Sequence, residues 1–248
     1  NETVTKNLDY KKYVIDSKLQ YFKPHASKIE KTFAEEISSS LTMLPKFITP
    51  KFFYDKKGSE LFEKICTLPE YYPTRTEILI LKNLQTELPS FIDDSFRLVE
   101  LGSGASVKTR LLLDIFTKIQ QITEYLPIDI SEILAESSEQ LLRDYDNLRI
   151  TGIIDTYEGG LEFLKNYDHK NNLILFLGSS FGNFSPADGK IFLEKINSTM
   201  KSGDLFLIGL DLVKDSQILE SAYDDAQGVT AEFNLNVLSR INDELDAD

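Results

Sequence analysis

Phe96-Arg-Leu-Val-Glu-Leu-Gly-Ser-Gly104 decides how this 248-residue chain reads: a short, largely apolar run ends in an acid and two closely spaced glycines. Such a run fits a buried strand. The glycines let the backbone pass close to a ligand, and the helix that follows offers unpaired amides.

Outward from it, Tyr125-Leu-Pro-Ile-Asp129, Leu148 to Ile154, Leu173 to Leu177 and Leu205 to Leu210 repeat the strand-like pattern. Between them lie helical spacings: Leu112, Ile115 and Ile119; Ile133, Leu134, Leu141 and Leu142; Ile191, Phe192 and Ile196. Alternation of this kind predicts an α/β fold, Rossmann-like, with a mostly parallel sheet covered on both faces.

Residues 96–215 are therefore expected to form the core. Residues 1–95 read as a helical N-terminal region, with Ile29, Phe33 and Ile37 spaced four apart, followed by an irregular aromatic stretch from Pro45 to Thr76. That stretch suits a substrate-facing loop or lid. Residues 216–248 read as the start of a second domain that is cut short, with the active site between it and the core. Asn1 suggests a chain trimmed at its start, and no secretory signal is expected.

The formal charge of −13 argues against a phosphate backbone as partner. A small molecule is the better expectation. One cysteine, Cys66, and two distant histidines, His25 and His169, predict neither a disulfide nor a metal site, and a cytoplasmic setting. Cys66 reads as a buried thiol beside Leu61, Phe62 and Ile65, the histidines as surface residues. No run is long enough to span a bilayer.

In a doubly wound sheet the ligand lies at the carboxyl ends of the strands. There stand Gly102 and Gly104, then Asp129, suited to both hydroxyls of a ribose, and Asp155, suited to the exocyclic amine of adenine. Lys108, in the first turn after the glycines, is within reach of a cofactor carboxylate. A dinucleotide fingerprint would place a small residue at Val107 and would not need Glu100, which weakens a nicotinamide reading.

Three motifs in one order carry a family resemblance: Phe53 to Phe62, Leu68-Pro-Glu-Tyr-Tyr-Pro-Thr-Arg-Thr-Glu77, and Glu100 to Arg110. Phe176-Leu-Gly-Ser-Ser-Phe-Gly-Asn183, Gly209 to Asp215 and Ala222 to Leu238 extend it. The chain resembles the histidine-specific methyltransferases of ergothioneine biosynthesis. The resemblance implies three methyl transfers from S-adenosylmethionine to the α-amino nitrogen of histidine, giving hercynine.

It further implies that Tyr54, Gly102, Lys108, Asp129 and Asp155 hold the donor. Tyr71, Gly178, Asn183 and Tyr223 would face the amino acid, with Asn183 and Tyr223 on its amino and carboxylate end and Tyr71 towards the ring. Family contacts to the imidazole from an acid and a serine fall C-terminal to anything in this sequence. A related methyltransferase acting on a tryptophan derivative, or a noncatalytic cofactor-binding module, is the alternative.

Overall fold

The computed structural model describes residues 9–25, 32–102, 107–130 and 133–247. In chain order these carry β1 (Tyr10–Val14), β2 (Leu19–Pro24), α1 (Phe33–Leu41), α2 (Lys56–Thr67), α3 (Tyr72–Glu87) and β3 (Phe96–Leu101). Next come α4 (Val107–Ile119), β4 (Thr123–Asp129), α5 (Ile133–Asp144), β5 (Leu148–Ile154), α6 (Tyr157–Tyr167) and β6 (Asn171–Phe176). The last are α7 (Pro186–Thr199), β7 (Leu205–Ile208), α8 (Ser216–Tyr223) and α9 (Val229–Leu245).

The chain divides into two units, one of residues 1–26 with 77–211 and the other of 27–76 with 212–248. The first holds a seven-stranded sheet in the order β1-β2-β5-β4-β3-β6-β7. Every neighbouring pair is parallel except β1 with β2. From β3 the chain winds outward through β4 to β5, then returns to place β6 on the other side of β3. That reversal marks the crevice of a doubly wound fold, at the ends of β3 and β6.

Side chains alternate across this sheet as a strand's period of two requires. Leu98, Tyr125, Leu173 and Leu175 pack on one face with Leu81, Leu88, Leu112, Phe116 and Leu141. Val99, Leu126, Ile128, Ile174 and Phe176 pack on the other with Leu161, Phe163, Phe192 and Ile196. Two apolar layers explain why the strands read as continuous apolar runs. Near the starts of β3 and β6, buried Arg97 reaches Asp168 at 2.8 Å and Asn172 at 2.8 Å.

Three expectations change. Residues 10–24 are strands and not helix: Leu19, Tyr21 and Phe22 are buried beside β5, and tertiary pairing overrides a polar local composition. The first unit takes in residues 77–95, because Leu81, Leu84 and Leu88 of α3 pack on the sheet's core. The aromatic stretch from Pro45 to Thr76 is largely helical, with Asp55 capping α2 by accepting from the Gly58 amide at 2.7 Å. Ile29 lies outside the described residues, while Phe33 and Ile37 do fall on a helix, α1.

In the second unit α2 and α9 are joined where Asn236 donates to Asp55 at 2.8 Å. Arg240 donates to the Phe52 carbonyl at 3.1 Å and lies over the Phe33 ring. Asp225 accepts from the amides of Val229 and Thr230 at 3.0 and 2.7 Å, satisfying the start of α9. Burial pushes the Asp225 carboxyl up, but these amides outweigh it and hold it at about 2. Among the described residues no helix is long and apolar enough to cross a membrane.

Candidate active site

Gly102 follows β3 with φ +76° and donates its amide to Ile128 of β4 at 2.9 Å. A Cβ there would sit 2.6 Å from the Tyr157 hydroxyl, so glycine is required by both conformation and space. Gly104 lies outside the described residues.

Just before this turn, buried Glu100 accepts from Thr109 of α4 at 2.9 Å and from Tyr125 of β4 at 2.5 Å. Burial raises its carboxyl to about 7, against the opposing pull of those two hydroxyls and of the Lys108 charge. Glu100 thus ties the first turn of α4 to β4 underneath the glycine turn.

Asp129 ends β4 and Asp155 follows β5, both half-buried, and the Asp155 amide donates to the Asp129 carbonyl at 3.1 Å. The two acids called from the sequence therefore stand on neighbouring strand ends. The Asp155 carboxylate accepts from the Thr156 amide at 2.7 Å and from the Tyr10 hydroxyl. Burial and the neighbouring carboxylate raise the Tyr10 pKa, so the phenol keeps its proton and is the donor. Gly159 leaves room for this group, since a Cβ there would fall 2.0 Å from Asp155 Oδ2.

Lys108 sits in the first turn of α4 with its ammonium 2.8 Å from Glu77 of α3. The same carboxylate accepts from the Gly178 amide at 2.9 and 3.0 Å, beyond the end of β6. Lys108 and Gly178, one expected at the donor and the other at the acceptor, are brought together by a residue that sequence reasoning gave no role. Tyr10 went unassigned too. Glu77 closes the Tyr-Tyr-Pro-Thr-Arg-Thr-Glu motif, the only local signal that pointed towards it.

Past Gly178, at φ +80°, Ser179 takes φ +55° and a 3-10 turn runs from Ser180 to Asn183. Asn183 is exposed, and its φ is not positive. The left-handed geometry of this loop belongs to Gly178 and Ser179, so tolerance of that geometry does not explain an asparagine at 183.

The second unit assembles the other three predicted residues around one aromatic cluster. Tyr54 lies 5.3 Å from Phe62 and 5.6 Å from Phe233 between ring centres, Phe62 6.3 Å from Tyr71, and Tyr71 5.8 Å from Tyr223. Tyr71 is buried, while Tyr54 and Tyr223 are 46% and 53% exposed. Tyr71 is thus fixed by packing, and the other two rings face solvent. Tyr72 is half-buried in the same cluster, under the Lys214 ammonium. Cys66 packs there half-buried, less enclosed than expected; His25 and His169 are exposed.

This donor set suits S-adenosylmethionine. Two carboxylates on adjacent strand ends match a ribose diol and an adenine amine, a lysine matches a carboxylate, and Gly102 keeps side chains out of the turn between them.

A family model described as "Histidine-specific methyltransferase, SAM-dependent" matches residues 33–248. A Mycolicibacterium smegmatis protein named histidine N-alpha-methyltransferase is 40% identical over 224 residues, 90% of this chain and 69% of its own length. A Mycobacterium tuberculosis protein of the same name is 42% identical over 214 residues, 86% of this chain and 66% of its own. Ergothioneine biosynthesis protein 1 of Neurospora crassa is 35% identical over 201 residues, 80% of this chain and 23% of its own. The chain thus spans 69% and 66% of the two bacterial relatives.

Proposed function

Because the chain belongs to the histidine-specific, S-adenosylmethionine-dependent methyltransferases, we propose that it methylates the α-amino nitrogen of L-histidine, in three transfers, to hercynine. The observation that carries this reading is the donor set at the strand ends: Gly102, Lys108, Asp129 and Asp155 stand where a doubly wound sheet binds its ligand.

When bound, S-adenosylmethionine would supply a methyl group on a positively charged sulfur: the lone pair of the neutral amine forms the N–C bond as the C–S bond breaks, S-adenosylhomocysteine leaves with that electron pair, and the ammonium formed sheds a proton to water before each further transfer. Asp129 takes the ribose hydroxyls, Asp155 the adenine amine and Lys108 the carboxylate; Gly102 and, two residues on in the sequence, Gly104 are assigned to the same cofactor. Tyr54 contributes a ring face that favours a cation.

Asn183 and Tyr223 take the amino and carboxylate end of the acceptor, Gly178 contributes to its binding, and Tyr71 faces the ring. An α-amino group titrates near pH ~8, so much of the substrate arrives protonated. Asn183 and the tyrosine hydroxyls accept hydrogen bonds from a neutral amine without acting as a strong base. Catalysis on this account is mostly alignment of the nitrogen with the methyl carbon. A small-molecule acceptor fits the charge of −13, which disfavours nucleic acid, and a single cysteine, with no second one to form an intramolecular disulfide, fits a cytoplasmic setting.

The test is incubation with S-adenosylmethionine and histidine, followed by mass spectrometry. Hercynine is the expected product. Donor binding without any methylated histidine would overturn the acceptor assignment.

A further inference from the structure

Glu77 is enclosed where the winding of the sheet reverses. Its side chain is 13% exposed and that of Lys108 18%. One oxygen lies 2.8 Å from the Lys108 ammonium, and both accept from the Gly178 amide. Gly209, just past β7, leaves the space it fills: a Cβ there would lie 2.0 Å from Glu77 Oε1. A Cβ on Gly178 would in turn touch the Lys108 ammonium at 3.4 Å. One carboxylate is therefore fitted between a cation on α4, an amide beyond β6 and the backbone beyond β7.

A lysine ammonium is a point charge on a flexible four-carbon stem and has no preferred fork geometry. Left alone it samples many rotamers. A fixed anion selects one of them, and because lysine has three N–H donors, the pairing does not exhaust it. We infer that Glu77 is a positioning residue for the methyl donor, acting by holding Lys108 and the Gly178 amide in place. The inference rests on the reading of Lys108 as the ligand of the donor's carboxylate.

The substitutions Glu77→Gln and Lys108→Met, and the two together, test it by calorimetric titration with S-adenosylhomocysteine alongside urea unfolding. Glutamine keeps an oxygen for the Gly178 amide but removes the charge that orients Lys108. Glu77→Gln is expected to weaken binding about tenfold or more. Lys108→Met should weaken it at least as much, and the double variant should bind no worse than Lys108→Met alone.

Gly209→Ala supplies an independent reading by pushing the carboxylate aside with its charge intact, and decides the matter should Glu77→Gln not fold. It is expected to weaken binding similarly. A Glu77→Gln protein that unfolds more easily yet binds undiminished has lost only structural support, and overturns the inference. So does a double variant whose loss is the product of the single losses. Unchanged binding in Lys108→Met contradicts instead the reading of Lys108 on which the inference stands.

Discussion

Replacing Glu100 by glutamine tests whether the carboxyl under the glycine turn is neutral at physiological pH. Burial raises this group from its ordinary 4.5 to about 7. The folded state therefore holds the proton more tightly than the unfolded state. The stability this gives is fully present below about pH 4.5 and is lost as pH rises through about 7. At about 1.4 kcal/mol for each tenfold change in proton affinity, the loss across that window is about 3 kcal/mol. Glutamine mimics the protonated acid in shape and still offers an oxygen to Thr109 and Tyr125. Urea unfolding at pH 5, 6, 7 and 8 measures the effect. The unchanged protein should lose stability towards pH 8, and Glu100→Gln should flatten that slope, becoming the more stable of the two at the alkaline end. Parallel pH profiles for the two proteins would refute the reasoning.

Asp225→Ala removes the acceptor at the start of α9 and should cost about 1 to 2 kcal/mol in urea unfolding at pH 7. Because this carboxyl is held at about 2, below its ordinary 3.8, its contribution is present above pH ~4 and fades as pH falls towards 2, so the two proteins should converge in acid. Gly159→Ala places a methyl group against Asp155 and should weaken S-adenosylhomocysteine binding in calorimetry by about tenfold, the order of one lost hydrogen bond to a charged group. Asn183→Ala is expected to raise the KM for histidine about tenfold while donor affinity holds, since this exposed residue is assigned to the acceptor alone.

Much of the first unit was legible in the sequence because its strands are buried on both faces. Residues 125–128 and 173–176 stand out as apolar runs against polar turns, and Leu112 and Ile115, or Phe192 and Ile196, mark the covering helices. The β1–β2 hairpin was not legible. Tyr10–Val14 is mostly exposed and is a strand only through its antiparallel pairing with β2, which pairs in turn with β5. Strand ends named Gly102, Asp129 and Asp155 because the fold puts ligands there, whatever the intervening sequence. Glu77 escaped for the opposite reason. Its partners are 31 and 101 residues away, and a pairing at such separation leaves no periodicity to read. Tyr10 lies 145 residues from Asp155 and escaped likewise.

The central claim, that the strand ends of the first unit hold the methyl donor, is tested most directly by calorimetric titration with S-adenosylhomocysteine of the unchanged protein and of Asp129→Ala. The account predicts saturable binding of one equivalent, weakened about tenfold or more when the carboxylate is removed. No binding by the unchanged protein, or equal binding by both, would contradict it.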